Sequence, residues 1–386
     1  MKYDVIIVGA GPAGSSAAYL LASAGMRALL LDRAEFPRNK LCGGMLSGRS
    51  QRLFTEIFGA SWSPTIEYIA HGIAMYHGQT LLNSLEDARP LHFTSRSVFD
   101  AFLVELAERQ GATLRQRATV RGVDPKTNAV YLEGGEELRA DFVIGADGVL
   151  SRVAHSLHPA PLDRRKLAFA LEIEAPRHAA NTDVTIPEIY FGVVNWGYAW
   201  VFPKSETLTV GAGGVWQKNP QLISVFREFL RQRFGASLDM PLKGHYLPFC
   251  RYRRAPGRGA ALLVGDAAGL VEPITGEGIA FAMQSGQFAA EAILEAAKQG
   301  DPARAYAHYR RAYRHFTGMF DLAHLMCYCL FPRPMEALFA KALPTSPRLL
   351  ARQMDLLADD IDYPEFFRLV LAGLARRGWR KFTGQA

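Results

Sequence analysis

Apolar residues along this chain fall into three patterns. Asp4-Val5-Ile6-Ile7-Val8, Ala28 to Leu31, Phe142-Val143-Ile144 and Ala260 to Val264 are short, nearly unbroken apolar stretches. Each predicts a strand buried on both faces. Ile66 to Phe93 alternates more loosely around Gly72 and Gly78 and predicts strands of a second sheet. Thr113 to Val123 reads as a further strand and Ala129 to Leu138 as a hairpin arm, while Lys166 to Tyr252 is β-rich. Tyr198, Trp200 and Phe202 lie two apart there, so on a strand they share one face. Helical spacing governs the rest. Phe99, Phe102, Leu103, Leu106 and Ala107 predict a helix opened by Ser95 to Asp100 and ended by Gly111, and the chain is helical after Gly300. The class is α/β.

Glycine-rich turns follow the buried strands. Gly9-Ala10-Gly11-Pro12-Ala13-Gly14 stands between the first strand and a helix through Leu21, and Asp32 closes the second strand. This is the G-x-G-x-x-G arrangement of a Rossmann-type nucleotide-binding unit. Gly9 allows the tight turn, Gly11 lets a pyrophosphate approach the backbone, and Gly14 lets helix pack on strand. The helix N-terminus offers free N–H groups to phosphate. Asp32 can accept both ribose hydroxyls and disfavours a 2′-phosphate, which favours FAD or NAD over NADP as the resident nucleotide. Gly145-Ala146-Asp147-Gly148 and Gly265-Asp266, followed by Gly276-Glu277-Gly278-Ile279 at a helix start, repeat the theme at later strand ends. Asp266 is placed to accept from a ribityl hydroxyl.

Bulk properties narrow the class. The chain has 386 residues, 49% apolar, 21% charged, with a net charge of +7. That is a folded protein long enough for two domains. The mild positive excess suits anionic lipid headgroups or a phosphorylated substrate and carries little weight alone. No basic run interleaved with aromatics suggests nucleic acid. Cys42, Cys250, Cys327 and Cys329 are too scattered for a disulfide scaffold and point to a reducing, cytoplasmic compartment. No histidine cluster completes a metal site. The apolar N-terminus is read as the nucleotide strand rather than a signal peptide, and no apolar stretch is long enough to span a membrane. Phe366 to Lys381, with Arg376, Arg377, Trp379 and Arg380, is a basic, aromatic amphipathic end. Such an end suits peripheral membrane contact, although capping a domain is its commoner use.

Two further stretches carry candidate chemistry. Lys40-Leu41-Cys42-Gly43-Gly44 would bring backbone close to something flat or charged. Cys42 there is either a thiol beside a redox cofactor or a small buried residue. Arg96 sits in a first helical turn, where the dipole disfavours a cation, so it calls for an anionic partner such as phosphate.

The three glycine-acid turns in this order resemble the FAD-binding set of the para-hydroxybenzoate hydroxylase superfamily. Within it the chain most resembles the geranylgeranyl reductase family. Lys40-Leu-Cys42-Gly43-Gly44 is similar to that family's cysteine-diglycine loop. Tyr198-x-Trp200-x-Phe202-Pro203 with Gly211-x-Gly213 is similar to its Y-x-W-x-F-P…G-x-G cavity motif. Archaeal members often carry Gly-Glu after the cysteine, so the Gly43-Gly44 of this chain leaves the lipid type open. Halogenases of the same fold carry Trp-x-Trp-x-Ile-Pro, a pattern that Tyr198 and Phe202 break.

The resemblance implies a Rossmann-type FAD-binding domain (1–66, 95–165 and 254–300) interleaved with a β-sheet substrate domain (67–94 and 166–253) and followed by a C-terminal helical region (301–386). It implies FAD contacts at Gly9, Gly11, Ala13, Gly14, Asp32, Arg33, Cys42, Gly43, Arg96, the backbone at Val120, Asp147, Asp266, Gly278 and Ile279. It implies reduction of isoprenoid double bonds on a prenyl chain or prenyl lipid. Hydride comes from reduced flavin, and a proton comes from Cys42, water or the flavin. Protonation comes first, with Tyr198 and Trp200 steadying a tertiary cation. No second G-x-G-x-x-G follows a strand, so the electron donor, NADPH or ferredoxin, docks transiently. A monooxygenase or halogenase of the same fold, or a flavoprotein acting on a protein partner, is the alternative.

Overall fold

Tyr3–Val8 lies at the middle of a parallel array, paired with Ala28–Leu31 on one side and Glu137–Gly145 on the other. A computed structural model describes residues 3–159, 163–180, 183–235, 238, 240–249, 252–345 and 347–369. Among them Thr113–Arg115 and Ala261–Leu263 extend the parallel array at its edges. Ile6, Ile7, Val143, Ile144, Leu262 and Leu263 are completely buried. This is why the sequence could afford no polar alternation there: each such side chain contributes about 1.5–3 kcal/mol by leaving water. The helices Pro12–Ser23 and Ile279–Lys298 cover one face. They approach closely because Gly286 has no side chain: a Cβ there would lie 2.2 Å from Ala13 O.

A second sheet of seven strands runs in the order Lys243–Leu247, Ala168–Pro176, Thr207–Val215, Gly197–Pro203, Glu188–Phe191, Ile73–His77, Thr80–Leu85. Met45–Leu46, Leu91–Phe93 and Tyr68–Ala70 form a separate small sheet. The stretch Ile66 to Phe93 is therefore divided between two sheets, contrary to the expectation of one. Loose alternation marks a strand but not its partner. Two other single strands are also broken. Arg117, at φ +55°, interrupts Thr113 to Val123. Gly134 and Gly135, at φ +94° and +89°, turn the chain between Ala129–Leu132 and Glu137–Gly145.

The helix Ala305–Leu330 ties the layers together. Its part up to Phe320 sends Tyr309, Tyr313, Phe316 and Phe320 into the core of the parallel sheet, where Tyr309 donates to Leu263 O at 2.8 Å. Its end sends Cys327, with Phe331 just beyond, into the apolar cluster that holds Trp200 and Phe202. Cys42 and Cys329 are free thiols, and Cys327 Sγ donates to Pro273 O at 3.2 Å. Cys250 and the basic end beyond Leu369, with Arg376 to Lys381, lie outside the described residues.

Candidate functional site

The first glycine turn is built by its backbone. Gly9 stands at φ +103°, and a Cβ on it would meet Ala146 O at 2.3 Å. Ala10 N–H donates to Asp32 Oδ2 at 3.0 Å and Ala34 N–H to Oδ1 at 2.9 Å. Arg38 Nε lies 3.5 Å from Oδ2, and since a carboxylate has about four acceptor sites Asp32 still has room for a hydroxyl. At Gly11 the helix opens without a side-chain cap. Among the described residues a Cβ there would find only Arg38 Nη2 at 3.7 Å and Arg96 Nη2 at 4.0 Å. A bare helix N-terminus facing two guanidinium groups is an anion cradle.

Arg96 has a carboxylate partner within the protein. Its Nε and Nη2 donate to Asp100 at 2.6 and 2.8 Å, and Arg38 reaches Asp100 at 3.1 Å. Burial works against its charge, yet Asp100 more than compensates and raises its pKa. Asp100, one turn along the helix, thus holds a guanidinium that also faces the Gly11 cradle. Asp266 Oδ2 accepts from Lys40 Nζ at 3.1 Å. Burial pushes its carboxyl up, but Lys40 and Arg96 outweigh that and hold it below its ordinary value. His245 stands near this cluster, and burial together with Lys40 pushes it down to about 4, so it is neutral at ordinary pH.

The second sheet supplies the other wall. Direct cross-strand pairs put side chains in rows on one face. One row reads His245, Ala170, Gly213, Tyr198, and the next Lys243, Glu172, Gly211, Trp200. A third reads Glu174, Thr209, Phe202. Gly211 and Gly213 are thus the floor of a trough between the aromatic strand and the strand of Glu172. The Trp200 ring occupies the space over Gly211, where a Cβ would stand 2.2 Å from it. Tyr198 donates its hydroxyl to Thr275 O, and burial, with Glu272 behind it, holds the phenol protonated.

The cysteine loop crosses this trough. Cys42 N–H donates to Glu172 Oε1 at 3.3 Å, and a Cβ on Gly43 would strike the Phe202 ring at 2.7 Å. Gly44, at φ +74°, would meet Thr94 O at 2.0 Å with any side chain. One cleft joins both walls. Pro12, Lys40, Arg96, Asp266, Gly278 and Ile279 line it on the nucleotide side. Ile73, Met75, Ile189, Phe191, Tyr198, Trp200 and Phe202 line it on the sheet side, with Cys42 and Gly43 between. It encloses about 1420 Å³ of empty space, its open mouth included.

Some expected residues stand elsewhere. Asp147 turns its carboxylate back on its own chain, accepting from Ser151 Oγ at 2.5 Å and Arg152 N–H at 2.6 Å, so its oxygens cap a helix. Arg33 is exposed. Val120 is buried in the core beside the Asp32 strand end, which Ala118 N–H meets at Asp32 O. Ala13 packs against Gly286 and Gly265. Sequence reasoning missed Glu172, His245, and Gln353 and Leu357 of the helix Pro347–Ala358, which close the cleft. It also missed Arg49, which is buried between Glu277 and Asp359 at 3.4 and 2.7 Å. An apolar spacing at Leu349, Leu350, Met354 and Leu357 was the available signal for that last wall.

Comparison with known proteins agrees with this geometry. The model of the FAD binding domain matches residues 2–169. The geranylgeranyl diphosphate reductase of Rhodobacter capsulatus is 34% identical over 328 residues, 78% of this chain and 78% of that protein. The chain belongs to the geranylgeranyl reductase family. A second relative, the digeranylgeranylglycerophospholipid reductase of Methanocaldococcus jannaschii, is 31% identical over 78% of each chain. The crystal structure of a geranylgeranyl bacteriochlorophyll reductase-like protein from Thermoplasma acidophilum shares the fold, with a TM-score of 0.75 at 24% identity over 96% of this chain and 99% of that one. As a geranylgeranyl reductase family member the chain is an FAD-dependent oxidoreductase. The site fits that cofactor: the Gly11 cradle suits a pyrophosphate, Asp32 a ribose, and the cleft beside Gly43 a flat ring.

Proposed function

We propose that this protein saturates isoprenoid double bonds of a prenyl chain or prenyl lipid. The observation that carries this reading is the single cleft in which a nucleotide cradle opens onto an apolar, aromatic-walled trough crossed by the cysteine loop. Bound FAD, once reduced, supplies the hydride. The chain supplies the rest. Ile73, Met75, Ile189 and Phe191 hold hydrocarbon and exclude water. An isolated alkene is a poor hydride acceptor, so a proton must reach one carbon as charge develops on the other. The Tyr198 and Trp200 rings are fixed by Thr275 and by Gly211, and their faces can steady that positive charge. Cys42, half-buried in the cleft wall, is the candidate acid.

Electrons come from a donor that docks transiently, NADPH or ferredoxin. Among the described residues no helix is long and apolar enough to cross a membrane. We propose peripheral contact with the membrane, from which a lipid substrate would be drawn. The test is anaerobic. Enzyme reduced by dithionite is mixed with geranylgeranyl diphosphate in one cell and with an unsaturated prenyl-ether phospholipid in another. Return of oxidised-flavin absorbance identifies the substrate class, and no return in either cell contradicts the reading.

A further inference from the structure

Two buried polar atoms in the trough have no partner in the described structure. One is Glu172 Oε2 and the other Trp200 Nε1. They belong to the same cross-strand row, with Gly211 between them and the Trp200 ring over it. Both residues stand against the cysteine loop. Glu172 Oε1 takes the Cys42 N–H, and Trp200 Nε1 lies 3.4 Å from the position of a Gly43 Cβ. Glu174, two residues along, is by contrast saturated by Lys204, Thr207 and Thr209. A buried carboxyl oxygen with no hydrogen-bond partner, on the residue that holds the cysteine loop, has an acceptor position left to carry a proton.

We propose that Glu172 is the proton reserve of the cysteine loop, a positioning residue that holds Cys42 by its N–H and returns a proton to its thiol. This rests on the reading of Cys42 as the acid. In the cycle the Cys42 S–H bond breaks and its proton goes to one alkene carbon, while hydride from reduced FAD goes to the other. The thiolate then takes the Glu172 proton. Glu172, left as carboxylate, regains a proton from solvent on the side of exposed Lys243. The charged groups facing Glu172 are Glu174 on its own strand, Lys243 on the next strand and Lys204 after the aromatic strand. Burial, then Glu174, push its carboxyl up to about 7 against the two lysines. It is therefore protonated and ionised in comparable measure near neutrality.

The test needs no turnover. Oxidised holoenzyme is alkylated with iodoacetamide, and labelling of Cys42 is read peptide by peptide across the range between ordinary carboxylate and thiol ionisation. In the wild type the rise of labelling with pH flattens where Glu172 ionises, because a buried negative charge disfavours the thiolate. Glu172→Gln keeps an acceptor for the Cys42 N–H, shows one uninterrupted rise, and labels roughly 3- to 10-fold faster above neutrality. Glu174→Gln leaves Glu172 in place, folds independently of that first variant, and moves the flattening to lower pH. Superimposable wild-type and Glu172→Gln profiles, or a flattening that Glu174→Gln does not move, overturn the proposal. In turnover, Glu172→Gln loses about 100-fold in alkene saturation with flavin reduction unchanged. If the wild type saturates no alkene, the reading of function fails, while the labelling profiles still decide whether Glu172 governs Cys42.

Discussion

The Trp200 indole occupies the space above Gly211 of the neighbouring strand, so that a Cβ at residue 211 would meet its ring at 2.2 Å and Leu171 O at 2.9 Å. The aromatic motif and the glycine motif are one device. Gly211→Ala is expected to turn the indole out of the trough and cost about 1–3 kcal/mol by overpacking. FAD content should stay at wild-type level, since Gly211 is on the sheet wall. Thermal unfolding and bound-flavin absorbance of the same sample check both halves.

The two glycines of the nucleotide turn have different duties. Gly9→Ala meets backbone at 2.3 Å with φ at +103°, so it lowers the melting temperature. Gly11→Ala meets nothing nearer than 3.7 Å among the described residues, so the apoprotein keeps its stability. The new methyl instead fills the anion cradle, and FAD binding weakens about 10-fold or more, a loss of about 1.4 kcal/mol or greater. Calorimetry of both apoproteins and FAD titration separate the cases.

Glu172 gives stability a distinctive dependence on pH. Its carboxyl moves from 4.5 to about 7 on folding, so in that window the folded protein holds a proton that the unfolded chain has released. This stability is complete below 4.5 and is lost as pH rises through about 7. The loss is on the order of 3 kcal/mol. Glu172→Gln removes the titration, so urea midpoints of the variant should gain on the wild type as pH rises through the window.

Arg49 joins the C-terminal wall of the cleft to the turn before Gly278. It donates to Asp359 Oδ1 at 2.7 Å and Leu356 O at 3.3 Å, and lies 3.4 Å from Glu277 Oε2. Arg49→Leu strands the buried Glu277 and should cost about 3–5 kcal/mol. Proteolysis of the Pro347–Ala358 helix should quicken in the variant, and Arg49→Lys should recover part of the loss.

The nucleotide end was legible in the sequence because its parts are local. Gly9, Gly11 and Asp32 lie within one strand-helix-strand unit, and each has a backbone reason that any reader of the sequence can state. The Tyr198, Trp200, Phe202 stripe was legible from its period of two. What pairs with that stripe was not. Glu172 reaches the site only through register with Gly211, and Gln353 and Leu357 only through the packing of a distant helix. Arg96 and Asp147 show the opposite difficulty. Their positions were sound grounds for expecting a cofactor contact, but Ser151, four residues on, takes up the Asp147 carboxylate, and Asp100, four residues on, takes two donors of Arg96, whose guanidinium still lines the cleft.

The most direct measurement of the central claim is the mass spectrum of a prenyl lipid incubated with the dithionite-reduced protein under anaerobic conditions. The account predicts products heavier by one hydrogen pair for each bond saturated, formed by wild type and lost in Trp200→Ala with FAD still bound. A lipid unchanged in mass beside fully reduced, fully bound flavin would contradict it.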